Sequence, residues 1–328
     1  MSTLLRSEKE QAGLSACVTG GSRGLGLLIA DQLAARGCAV TLAARDREEL
    51  EQARTKLLRR HPRAVVDIVA CDVRDQDEVR SLMRGTYERR GGLDVVIANA
   101  GVIQVAPVES IGAEEFQSAM DTMFKGTLHA ALEALPYLRE SPHGGRLGII
   151  SSVGGLLGVP HLLPYACAKA AAGVLAEGLH AEAAADGVSV TAVYPGLMRT
   201  GSHLHAQFGG DRTAEYTWFS ALAGAPIVSM NAQRAAARIT RAVLRRRVRL
   251  VLTPMARAAD IAHGVAPGLT TRVSSLAARA LPNGMGGREP LAEGKDTAPT
   301  SHPVAARVRA WGSAMNDKVT RSYNQRHG

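Results

Sequence analysis

From residue 14 to about residue 252 the chain alternates short apolar runs with longer amphipathic ones, and no other feature constrains its fold as tightly. The runs Leu14–Thr19, Ala39–Ala44, Val65–Ala70, Val95–Ala98, Leu147–Ser151, Ser189–Tyr194 and Arg249–Thr253 mostly lack polar alternation. That is the signature of strands buried on both faces. Between them, Leu25–Arg36, Glu48–Arg60, Gln76–Arg90, Glu114–Leu138, Tyr165–Ala185 and Gln233–Arg246 read as helices. Strand–helix–strand units close by right-handed crossovers, so the expected class is α/β: a doubly wound parallel sheet with helices on both faces. Ligands of such sheets bind beyond the carboxyl ends of the strands.

The first strand runs into Thr19-Gly20-Gly21-Ser22-Arg23-Gly24-Leu25-Gly26, a glycine-rich turn that opens the first helix. Backbone N–H groups and the positive end of a helix suit an anion there, and glycines let a pyrophosphate approach closely. Gly20, Ser22, Arg23, Gly24, Leu25 and Gly26 are therefore candidate cofactor contacts. The second strand ends in Ala44-Arg45, where an acidic residue would hold a ribose hydroxyl pair. Two guanidiniums, Arg23 and Arg45, suit a 2′-phosphate instead, so NADP(H) is favoured over NAD(H). Asp72 and Val73 close the third strand; Asp72 suits a cap for the next helix, an adenine amino group, or both. Asn99, Ala100 and Gly101 close the fourth, small enough for close approach to the cofactor.

Ser152 is followed thirteen residues later by Tyr165, and Lys169 lies four beyond, on the same helix face as the tyrosine. A phenol titrates near 10, too high for acid–base work at neutral pH unless a neighbouring ammonium lowers it. Ser152, at the end of the fifth strand, is placed to hydrogen-bond a substrate oxygen. Each residue alone is common; their joint spacing downstream of the glycine turn carries the reading.

With Thr-Gly-x-x-x-Gly-x-Gly (Thr19–Gly26), Asn-Ala-Gly (Asn99–Gly101), Ser152, Tyr-x-x-x-Lys (Tyr165–Lys169) and Pro195-Gly196-Leu197-Met198-Arg199-Thr200, the chain resembles the short-chain dehydrogenase/reductase family over residues 14 to about 253. The resemblance implies a Rossmann-type fold and NAD(P)(H)-dependent interconversion of carbonyl and alcohol. It also implies that Tyr165 is the acid–base group, that Lys169 binds the nicotinamide ribose and lowers the phenol's pKa, and that Ser152 orients the carbonyl. Pro195, Gly196, Met198 and Thr200 would embrace the nicotinamide carboxamide. A homodimer or homotetramer through the helices Glu114–Leu138 and Tyr165–Ala185 is implied as well. One position departs from the family: Met123 stands where an asparagine usually holds a relay water. A thioether is a weak acceptor and no donor. Either turnover is slowed or another group holds the water, and a cofactor-binding but catalytically weak sensor or scaffold is the alternative reading.

The expected organisation is an arm over residues 1–12, the α/β domain over 13–255 with a substrate-covering segment over 201–230, and an extension over 256–328. Within that extension, 256–280 reads as partly helical, broken at Gly264, Pro267 and Gly268; Pro282–Pro303 reads as a loop, and Val304–Tyr323 as a last helix. Phe208, Tyr216, Trp218 and Phe219, with the apolar stretch between Ser152 and Tyr165, favour a lipophilic substrate. Residues 231–328 hold 17 Lys/Arg against 5 Asp/Glu, whereas residues 1–230 are slightly acidic. A solvated arginine-rich tail is the preferred reading, with contact to an anionic membrane as the alternative. Nucleic acid is not expected, since aromatics are only 4% of the chain. His161, His203 and His205 lack partners at ligand spacing, so no metal is expected. The four cysteines have no CxxC spacing and read as reduced thiols of a cytoplasmic protein.

Overall fold

The computed structural model describes residues 13–225, 229–282 and 290–296; the expected arm over 1–12 and the last helix over Val304–Tyr323 lie outside them. All seven anticipated strands form, at Ser15–Thr19 (β1), Ala39–Ala44 (β2), Val66–Ala70 (β3), Val95–Ala98 (β4), Arg146–Ile150 (β6), Ser189–Tyr194 (β7) and Arg249–Val251 (β11). They make one parallel sheet in the order β11-β7-β6-β4-β1-β2-β3. The strand order reverses between β1 and β4, which opens a crevice at their carboxyl ends, where the glycine turn and Asn99 lie.

Helices α1 (Gly24–Ala34), α2 (Arg47–Arg60) and α8 (Ala232–Leu244) bury leucine, isoleucine and alanine against one sheet face. Helices α3 (Gln76–Arg90), α5 (Gly126–Arg139) and α6 (Leu163–Ala183) cover the other. Cys17, Cys38 and Cys71 are buried in these layers and Cys167 is exposed. Burial pushes the Cys17 and Cys71 thiols up to about 12.

Two expectations need correction. The stretch read as a single helix over Glu114–Leu138 is α4 (Ala113–Ala119), then a π-helical turn over Met120–Lys125, then α5. The wider turn inserts one residue into the helical repeat and buries Met123 completely. Within the stretch read as loop, Ala292–Glu293 (β12) pairs antiparallel with Gln207–Phe208 (β9), which also pairs parallel with Gln104–Val105 (β5). The helix α7 (Arg212–Gly224) follows β9, and Met198–Arg199 (β8) pairs with Met230–Asn231 (β10). After β11 come α9 (Pro254–Val265) and α10 (Pro267–Ala278), parted at Ala266 just before Pro267. Among the described residues no helix is long and apolar enough to cross a membrane.

Candidate active site

The glycine turn is built by close contacts that only glycine permits. Gly20 and Gly24 have φ of +63° and +56°. A Cβ on Gly26 would lie 2.1 Å from the Gly20 carbonyl oxygen and 2.6 Å from Asn99 Nδ2. Asn99 Nδ2 in turn donates to the carbonyls of Thr19 and Gly20 at 3.2 and 3.1 Å. Thr19 Oγ1 accepts from the backbone N–H of Asn99 and of Ala100. The Asn-Ala-Gly segment thus clamps the turn to β4, with its side chain spent on backbone. Arg23 is the N-cap of α1 but its side chain caps nothing, so the first-turn N–H groups face the crevice without an intrachain cap. That uncapped end fits a pyrophosphate.

Glu49, which sequence reading passed over as one acid among many on α2, is buried under the turn. Its two oxygens accept from Ser22 Oγ at 2.9 Å and from Arg23 Nη1 at 2.6 Å. Arg23 is therefore neutralised by a carboxylate. Arg45, by contrast, is exposed at the end of β2 and makes no hydrogen bond or ion pair with any described residue. Asp72 does not cap α3: that carboxylate is Asp75, which accepts from the N–H of Asp77 and Glu78. Asp72 instead binds the Arg74 guanidinium in a forked pair, which holds its carboxyl below the usual carboxylate range.

On the other side of the crevice, Ser152 ends the run after β6, its Oγ accepting from Gly154 N–H at 3.1 Å. Tyr165 and Lys169 sit on α6, whose first turn holds Pro164. Lys169 is buried and donates to the Ile150 carbonyl at 2.7 Å; Ser151 Oγ donates to the Lys169 carbonyl at 2.6 Å. A Cβ on Gly155 would come within 2.7 Å of that same Lys169 carbonyl, so the serine loop is packed directly on α6. The ammonium lies 6.0 Å from the Tyr165 ring centroid. Contrary to the expected lowering, the phenol's pKa is raised: burial outweighs the opposing hydrogen bond with Ser152. Burial also brings Lys169 down from 10.5 to about 8. Met123 packs against Ala119, Ala168, Val102 and Tyr165 in an apolar cluster. A Cβ on Gly101 would lie 3.5 Å from both Met123 Sδ and Lys169 Nζ, so thioether and ammonium flank one spot.

The Lys169 shift has a measurable consequence. Between about 8 and 10.5 the unfolded chain binds the lysine proton more tightly than the folded one, so this group makes stability rise with pH across that window. The buried thiols act oppositely above their ordinary 9. Urea melts of wild type and Lys169→Met at several pH values isolate the difference. The expected wild-type gain with pH is absent from the variant; parallel curves would show that Lys169 titrates normally.

Pro195–Thr200 follows β7, with the Pro195 carbonyl accepting from Val153 N–H at 2.8 Å. This ties the segment to the serine loop. Gly196 packs on Thr253, Met198 lies in β8, and Thr200 is buried with Oγ1 accepting from Ser202 N–H. Above the loop, His161 adopts φ +63° and its Nδ1 lies 2.8 Å from Glu215 Oε1 on α7. Fully buried Glu215 also accepts from Trp218 Nε1 at 2.7 Å. This cluster escaped sequence reading because 54 residues separate its ends. His205 pairs with Glu293 on β12.

The sequence model described as short chain dehydrogenase matches residues 15–207. An oxidoreductase of Botryotinia fuckeliana is 36% identical over 183 residues, which span 56% of this chain and 65% of that protein, just under two thirds of its length. An uncharacterized oxidoreductase of Staphylococcus aureus is 34% identical over 185 residues, covering 56% of this chain and 78% of that one. Among solved structures, a short-chain dehydrogenase from Streptomyces avermitilis superposes with a TM-score of 0.67 at 27% identity, covering 81% of this chain and 97% of that one.

Proposed function

This chain belongs to the short-chain dehydrogenase family and is an oxidoreductase of that type, and on that premise we propose that it interconverts a carbonyl and an alcohol with NADP(H), reducing a lipophilic ketone or aldehyde. The observation that carries the reading is the meeting of Ser152, Tyr165 and Lys169 beside the uncapped, glycine-lined start of α1. When bound, the dinucleotide supplies the hydride. The turn residues Gly20, Ser22, Gly24, Leu25 and Gly26 would hold its pyrophosphate, Val73 and Asn99–Gly101 its adenosine and ribose side, and Pro195–Thr200 its carboxamide. Ser152 orients the carbonyl oxygen, and Tyr165, a protonated phenol at neutral pH, gives that oxygen a proton. Lys169 binds the ribose and passes the replacement proton toward the phenol.

Arg45 supports the NADP(H) preference: exposed at the end of β2, it makes no ion pair with any described residue although its charge reaches the Asp72 carboxyl, whereas Arg23 is bound to Glu49. Residues 201–230, whose described part carries α7 and the aromatic cluster of Phe208, Tyr216 and Phe219, form the cover of an apolar substrate site in this reading. The working protein is a cytoplasmic homodimer or homotetramer. A second reading, a catalytically weak cofactor sensor, draws on Met123 and its apolar surroundings beside Lys169.

The test follows reduced-nicotinamide absorbance with a panel of lipophilic ketones, aldehydes and diketones. NADPH is expected to be used at least about tenfold better than NADH, and Arg45→Asp to erase that preference, as fits one charged hydrogen-bonded pair. Equal use of both cofactors would sink the NADP(H) assignment. Tight NADPH binding without turnover of any compound would favour the sensor.

A further inference from the structure

The helices α9 and α10 carry apolar stripes at helical spacing that face away from the body of the protein. Ile261 and Val265 are 67% and 82% exposed on α9; Leu269, Val273 and Leu276 are 63%, 57% and 60% exposed on α10. Spacings of four, then four and three residues put each set on one helix face. In a helix of a globular domain such a stripe is the face that packs inward. Here Ala256 is the only buried residue of α9, and α10 has none.

The pair is nonetheless held in place. Thr253 caps α9, Arg257 Nε donates to the Val251 carbonyl, Arg249 pairs with Asp260, and His263 Nδ1 meets Thr270 Oγ1 across the two helices. α9 begins at the carboxyl end of β11, where Thr253 meets Gly196, and its Asp260 pairs with Arg249 at the start of that strand. Each helix is twelve residues long, too short to span a bilayer.

Charge selects among occupants. Over residues 254–279 the charged side chains are Arg257, Arg272 and Arg279 against Asp260, which is already paired with Arg249, and Arg272 and Arg279 lie in and beside the stripe of α10. Two copies meeting through this face would bring like charges together, whereas an anionic lipid surface satisfies both the apolar stripes and the positive excess. We propose that α9 and α10 form a docking surface that lies flat in the headgroup region of an anionic bilayer. This goes beyond the reductase reading and does not depend on it.

The experiment sediments the full chain with vesicles of phosphatidylcholine alone or mixed with phosphatidylglycerol. The wild type is expected to sediment with the mixed vesicles, to ignore the neutral ones, and to be released by salt. Val265→Asp/Val273→Asp changes exposed positions, so its melting temperature should match the wild type while vesicle binding falls by about tenfold or more. Arg272→Glu/Arg279→Glu should weaken binding by at least about fivefold for each charge reversed. Wild-type protein left in the supernatant in every mixture would overturn the proposal, as would a double-aspartate variant that binds like wild type. A dimer in sedimentation velocity that the aspartates dissociate, without vesicle binding, would assign the face to a second copy and overturn it too.

Discussion

Tyr165→Phe is expected to give a folded protein that binds NADPH as the wild type does and reduces carbonyls at least about a thousandfold more slowly. The substitution removes one oxygen. The ring stays in its apolar setting with Met120, Met123 and Ala168, and Ser152 and Lys169 keep their backbone partners. What is lost is the proton donor. The phenol is protonated through neutral pH, the form that reduction consumes, and burial pushes its ionisation further above the ordinary 10. Wild-type reduction should fall in two alkaline limbs, one at about 8 as the Lys169 ammonium deprotonates and one above 10 as the phenol ionises, and Tyr165→Phe should lack the second. Steady-state kcat together with NADPH fluorescence titration separates chemistry from binding. Wild-type turnover in the variant would remove Tyr165 from the chemistry.

The second large effect is expected from Gly26→Ala. The new methyl would meet the Gly20 carbonyl oxygen at 2.1 Å and Asn99 Nδ2 at 2.6 Å, and the carbonyl is backbone that cannot swing aside. Either α1 moves off the turn or the Asn99 clamp opens. We expect a loss of about 1–3 kcal/mol in urea melts, typical of overpacking, and a fall of more than about tenfold in NADPH affinity. Gly178→Ala on α6 is the control. No atom lies within 4 Å of a Cβ there and the residue is helical, so a gain of about 0.5–1 kcal/mol is expected. Equal melting of the two variants would defeat the steric argument.

The sheet was legible because its strands are buried on both faces and so stand out as uninterrupted apolar runs between amphipathic helices. β2, β4 and β7 begin and end at the expected residues. That Tyr165 and Lys169 share one helix face was legible through spacing, since four residues along a helix bring two side chains together. Local choices between equals were not. Asp72 and Asp75 are both competent caps, and the backbone at the start of α3 selects Asp75. Glu49 looks like any acid in the first turn of a helix until the fold lays that turn beneath Ser22 and Arg23. The two-residue β12 is too short to show a period, and its register comes from β9, 84 residues before it. The sign of the Tyr165 shift was missed because a sequence shows a neighbouring charge and not how deeply both groups are buried.

The π-helical turn at Met120–Lys125 sits between two helices with different packing partners. A turn wider by one residue shifts the helical repeat, so the faces before and after it can each keep their own packing. Upstream, α4 stays against α6; downstream, α5 stays against α3 and the sheet. The change of phase is confined to the six residues between them, one of which is Met123 beside Lys169. The side chain facing the lysine is thus set by the one turn that departs from the α-helical repeat, and its complete burial against Ala168 and Tyr165 leaves little room for a group of another size.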